Sequence, residues 1–188
     1  ALAAACAGAG GPRALIPSPE QLRRELGQRI PAAEVVVPYE ISAEHARKAR
    51  ELTAFAPDGS EKVRILVEAM FSPQGFGLHY RQGVPGTAEE ALRSGGGDCL
   101  ALASVFVGLA RAAGLEAAYM DASFRMQETE VLSEQTTVKV GHITAFVRLG
   151  NDRIGLDFAR LGRIYWYQPI DDVEAVAHYH NNLGYVLL

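Results

Sequence analysis

The stretch Gly95-Gly96-Gly97-Asp98-Cys99-Leu100-Ala101-Leu102-Ala103-Ser104-Val105-Phe106 joins a glycine run to an apolar helix, and the junction is one of only two cysteines in 188 residues. Leu102, Val105, Phe106, Leu109 and Ala113 recur at helical spacing, which predicts a helix from about Cys99 to Ala113 with that stripe buried. Gly114 is placed to end it with a left-handed cap. Backbone N–H groups in a first helical turn lack intrahelical partners and carry partial positive charge, so a cysteine there is favoured as thiolate. Free cysteine is also a common small core residue, but Cys99 lies at the mouth of the stripe rather than within it, and glycines before it would let a substrate backbone approach. Asp98 reads as the helix N-cap, a structural role, since its charge opposes a neighbouring thiolate.

Two further segments supply the partners a thiol nucleophile needs. Val140-Gly141-His142-Ile143-Thr144-Ala145-Phe146-Val147 offers a histidine on a strand-like run, and Ile154-Gly155-Leu156-Asp157-Phe158-Ala159 an acid on the next. Gly150-Asn151-Asp152 between them is a hairpin turn, which brings His142 and Asp157 to similar heights on neighbouring strands. His142 is then the base and Asp157 the group that fixes its tautomer. The competing assignments are a core histidine and an aspartate that merely ends a strand.

The Gly-Asp-Cys helix start, the Gly-His strand and the aliphatic-Asp strand, in that order, resemble the transglutaminase-like superfamily, a branch of the papain-like cysteine enzymes, over roughly Glu61 to Pro169. The spacings are similar to those of compact bacterial members. The resemblance implies an α+β fold, with N-terminal helices and the cysteine helix packed on an antiparallel sheet that bears the histidine and the acid. It also implies a cysteine-dependent acyl-transfer enzyme acting on peptide or amide bonds through Cys99, His142 and Asp157, by way of a thioester. Fold alone does not select the reaction, and a catalytically quiet scaffold or binding module of the cell envelope is the alternative. An acyl-transfer site needs oxyanion donors: the Cys99 N–H is one, and Tyr80, just upstream of the nucleophile, is the candidate second. Ala91-Leu92-Arg93-Ser94 carries no glutamine of the kind papain places before its nucleophile. Tyr165, Trp166 and Tyr167 either line a cleft or pack the sheet, and sheet packing is the favoured reading.

Charge narrows the partners. Formal net charge is −4, with lysines and arginines scattered, which argues against nucleic acid; a peptide or protein substrate is what the resemblance implies. The Gly95–Asp98 loop lacks the lysine of a phosphate-binding loop and sets an acid where phosphate would sit. His79, His178 and His180 follow no metal-ligand spacing, so neither metal nor cofactor is expected.

The expected organisation has three parts. Residues 1–17, rich in Ala, Gly and Pro, form a flexible leader. Within it Ala1-Leu2-Ala3-Ala4-Ala5-Cys6 resembles the tail of a lipoprotein signal, so Cys6 is a candidate for lipidation and hence for a membrane tether in the cell envelope or periplasm. If Cys6 is only part of the leader, a cytoplasmic location stays open. Residues 18–170 form the enzyme-like domain. Helix starts are legible at Ser18, Ser42, Gly59 and Thr87, and Leu78-His79-Tyr80 is a short extended piece. Strands are expected at 116–124, 137–149, 153–158 and 164–168. Residues 171–188 are a helix that either packs on the sheet or opens a tetratricopeptide-like repeat for a protein partner, since Asn181 to Leu188 resembles the start of one.

Overall fold

The computed structural model describes residues 3–5, 16–28, 31, 34–122, 128–133, 136–159 and 167–187. Four helices precede the cysteine helix, and each starts where a side chain can take up an orphan backbone N–H. They are α1 (Pro19–Leu26, capped by Ser18), α2 (Ala43–Leu52, Ser42), α3 (Gly59–Phe71, Asp58) and α4 (Ala88–Ser94, Thr87). Capping boxes close α1 through Gln21 and α4 through Glu90. Helix α2 ends at Leu52, and Phe55 is left exposed beyond it.

The cysteine helix, α5 (Cys99–Ala112), is buried on every side rather than along one stripe: all residues from Leu100 to Ala110 are inaccessible. The reason is its position at the centre of the fold. Helices α2, α3 and α4 cover it on one side, and strands β4 (Glu116–Asp121) and β7 (Ile143–Leu149) on the other. Gly108 makes the crowding workable, because a Cβ there would lie 2.4 Å from the Tyr39 carbonyl oxygen, in the segment leading to α2. Ser104, the one polar side chain inside this helix, is satisfied by the hydroxyl of buried Tyr119 on β4, which donates to it across 3.0 Å.

The sheet runs β1-β8-β7-β4-β9, every neighbouring pair antiparallel, with β1 at Ala3–Ala5, β8 at Asp152–Leu156 and β9 at Gln168–Ile170. Two sequence expectations change here. The leader was expected to be flexible, yet Ala3–Ala5 pairs with Arg153–Gly155 and covers the edge of β8, a task that needs only backbone hydrogen bonds. The strand expected over 137–149 is two. Strand β6 (Thr136–Val140) pairs with β5 (Glu128–Ser133), which the sequence reading did not include, as a separate ribbon. Gly141 and His142 form the joint between β6 and β7. The hairpin after β7 turns as expected through Gly150, whose φ is +62°, and Leu149 faces Asp152 across it. Most of the strand expected at 164–168, with Tyr165 and Trp166, lies outside the described residues, as does Cys6.

Helix α6 (Asp172–Val186) follows β9 and buries Ala175, Val176 and Tyr179 against the core cluster. Its first turn is held by a paired hydrogen bond. Arg111, near the end of α5, donates through both terminal nitrogens to the Asp172 carboxylate at 2.9 Å each, and its Nε donates to the Ala117 carbonyl. The guanidinium lies 4.3 Å from the centre of the Tyr39 ring. Among the described residues no helix is long and apolar enough to cross a membrane.

Candidate active site

Cys99 is the first residue of α5, a free thiol of intermediate exposure. The glycines before it have roles within the protein itself. Gly95 caps α4 in the left-handed region. Gly96, at φ +152°, sits where a Cβ would be 2.1 Å from the His79 carbonyl oxygen. That close approach lets strand β3 (Gly96–Gly97) pair in parallel with β2 (His79–Tyr80), the extended piece expected from the sequence. His79 donates to the Gly95 carbonyl and Arg81 to that of Gly97, so the alternation of a parallel ladder turns the N–H and C=O of Tyr80 away from β3.

Asp98 caps α5 as expected: Oδ1 accepts the Ala101 N–H at 2.9 Å. Its other oxygen has a partner the sequence did not reveal, the side-chain amide of Asn182 on α6, which donates to Oδ2 at 3.1 Å. Burial raises the Asp98 carboxyl above the ordinary range, opposed by the bonds from Ala101, Asn182 and Leu100.

His142 is buried in the joint between β6 and β7 rather than within a strand. Its carbonyl accepts the Ala122 N–H at 2.8 Å, extending the β4–β7 pairing by one step. Asp157 follows β8 directly. Ala145 pairs with Leu156, so the next step sets Thr144 opposite Asp157 and makes His142 its diagonal neighbour on the same face. The Thr144 hydroxyl donates to the Leu156 carbonyl and ties down the residue before the acid. Asp157 Oδ1 accepts the Ala159 N–H at 2.9 Å, which orients the carboxylate, and it meets His142 Nε2 at 3.0 Å. Cys99 also lies close enough to the imidazole for its sulfur to favour the protonated ring.

The electrostatics follow from this placement. Burial works against a charged imidazole. The hydrogen bonds to Asp157 and Cys99 and the charges on both outweigh it, and the His142 pKa is pushed up to about 9. Tyr80 lies at the same opening, with its side of β2 exposed to solvent. Its phenol is held above its ordinary pKa by burial first and then by the negative charges of Cys99, Asp98 and Asp157. It therefore stays a hydrogen-bond donor through neutral pH.

The four residues singled out in the sequence thus converge on one site: Cys99 from a helix start, His142 from a joint between strands, Asp157 from a strand end and Tyr80 from a two-residue strand. An arrangement in which an imidazole bridges a thiol and a carboxylate can move a proton between sulfur and a third atom placed against them. Comparison with curated proteins and with solved structures gives no match. The family model of the transglutaminase-like superfamily matches residues 46–153, a span that includes Cys99 and His142 and stops four residues before Asp157. A match over more than half of the chain, on a fold of this kind, makes the protein a member of the transglutaminase-like superfamily.

Proposed function

We propose that the protein is a cysteine-dependent acyl-transfer enzyme that acts on peptide amide bonds and resolves its acyl-enzyme with water. The observation that carries this reading is a buried His142 kept protonated by Asp157 on one side and Cys99 on the other. The Cys99 thiolate attacks the amide carbonyl carbon. The Cys99 N–H, without an intrahelical partner at the first helical position, and the Tyr80 hydroxyl are the donors proposed for the oxyanion. As the C–N bond breaks, His142 passes its proton to the departing amine, leaving a thioester on Sγ. The now neutral imidazole takes a proton from water, whose oxygen attacks the thioester. The C–S bond breaks, and thiolate and imidazolium are restored. The outward-turned N–H and C=O of Tyr80 suit a substrate with a peptide main chain, which can add to the edge of β2 beside the thiol.

The test uses a Cys6→Ser background and measures alkylation of Cys99 by iodoacetamide against pH, alongside hydrolysis of a panel of short peptide amides. Alkylation that stays fast well below the ordinary thiol range, and is lost in His142→Ala, is expected. Hydrolysis that disappears in Cys99→Ala is the second expected result. Alkylation along an ordinary thiol curve, unaltered by His142→Ala, overturns the reading in favour of a catalytically quiet scaffold. The envelope location belongs to the same proposal and is tested separately, by the mass of the N-terminal peptide bearing Cys6 after extraction from membranes.

A further inference from the structure

Helix α6 contributes no residue to the proposed proton transfer, yet its two ends engage both ends of the nucleophile helix. Asp172 in its first turn is locked to Arg111 near the end of α5, and Asn182, ten residues on, reaches Asp98 at the start. Ten helical residues span about 15 Å and the thirteen from Asp98 to Arg111 about 20 Å. The two contacts are therefore compatible with one stiff helix alongside another. Between them Ala175, Val176 and Tyr179 are buried, so Asn182 is presented by an anchored element.

What Asn182 meets is an unusual carboxylate. Asp98 precedes the nucleophile directly and is nearly inaccessible. Among the described residues, the ionisable groups around Cys99 are His142 from the β6–β7 joint, Asp157 from the end of β8, Tyr80 from β2 and Asp98 itself. Among these Asp98 is the direct chain neighbour of Cys99, where a carboxylate charge works against a thiolate, but it cannot be dispensed with because Oδ1 caps the helix. Resting on the acyl-transfer reading above, we infer that Asn182 is a positioning residue for Cys99: by donating to Oδ2 it holds the Asp98 carboxylate in its capping rotamer and draws its charge away from the thiolate.

The experiment follows the alkylation of Cys99 by iodoacetamide across pH in the Cys6→Ser chain, comparing Asn182→Ala and Asn182→Asp with the parent, and with Asn181→Ala as the control at the exposed neighbouring position. Thermal unfolding is recorded for each. Loss of one hydrogen bond to a charged group is expected to slow alkylation at neutral pH about tenfold in Asn182→Ala and to move its pH profile to the alkaline side. Asn182→Asp, which sets a second carboxylate against Asp98, is expected to slow it further. Asn181→Ala is expected to match the parent. A helix that only packs would change the unfolding temperature and leave the pH profile in place. A profile within twofold of the parent in both Asn182 variants, or equal effects at 181 and 182, overturns the inference. The proposed function fails on a different comparison, parent against His142→Ala, so the two failures are distinguishable.

Discussion

Replacing Asp172 by alanine tests whether α6 is a structural member of this domain. The Asp172 side chain is 5 % accessible and the Arg111 side chain 14 %, and two hydrogen bonds of 2.9 Å join them. Removing the carboxylate leaves a guanidinium that keeps its bond to the Ala117 carbonyl and its place over Tyr39, with two terminal nitrogens unmatched and their charge uncompensated. Breaking a buried pair on one side costs about 3–5 kcal/mol. For a chain of this size each kcal/mol lowers Tm by about 2–4 °C, so Asp172→Ala is expected to unfold about 6–20 °C below the parent. Asp171 provides the control. It is the adjacent aspartate but exposed, and its side chain only caps the helix by accepting the Glu174 N–H at 2.8 Å. Asp171→Ala is expected to cost about 1 kcal/mol, or 2–4 °C. Because an unpaired buried charge costs more than the pair contributes, Arg111→Met combined with Asp172→Ala is expected to recover most of the loss. Calorimetry on the four proteins decides the matter. An Asp172→Ala protein that melts within about 2 °C of the parent, or no more than Asp171→Ala does, refutes the reasoning.

Three further outcomes follow from the geometry. The His142 proton is held to about 9, so kcat/KM for a peptide amide is expected to fall as pH rises through that value, when the departing amine loses its donor; Asp157→Asn should move this limb to lower pH, as rate profiles of the two proteins will show. The same raised pKa stabilises the fold fully below the ordinary histidine value of about 6.5 and is lost as pH rises through about 9, which urea titrations at pH 6 and pH 10 would detect as a smaller unfolding free energy in the second. Gly96→Ala is expected to abolish activity and lower Tm, because its Cβ would fall 2.1 Å from a backbone oxygen that no side-chain rotation can move away; a soluble, fully active Gly96→Ala protein would falsify the assignment of that glycine to the β2–β3 contact.

The local chemistry of this fold was open to reading. Ser18, Ser42 and Thr87 cap helices because a hydroxyl before an amphipathic run has one productive use, and Asp98-Cys99 announces a helix start for the same reason. The joint at His142 was not open in that way. From Thr137 to Leu149 most residues are β-branched or apolar, with Lys139, Gly141, His142 and Arg148 between them, and nothing local says that pairing changes partner at His142. The contacts of α6 were out of reach for a different reason. Arg111 and Asp172 are 61 residues apart and Asp98 and Asn182 are 84 apart, so neither pair leaves a periodic or short-range trace. The triad candidates were recoverable because each carries its own short motif. Asn182 carries none, and its importance exists only in three dimensions. The internal role of Gly96 was not legible, since a Cβ-free position looks the same in sequence whether a ligand or the chain's own carbonyl comes close.

A helix enclosed on all sides usually belongs to the slowest-exchanging part of a protein, the segment whose amides open only when the whole molecule does. Here that segment carries Cys99, the proposed nucleophile, at its tip. Heat inactivation and global unfolding should therefore coincide, with no temperature range in which the domain is folded but its thiol has come adrift from the imidazole. It also constrains divergence: with no solvent-facing side from Leu100 to Ala110, this helix has little room to accept neutral substitutions. New specificity would have to be found in the elements around it, such as β2 and the β6–β7 joint.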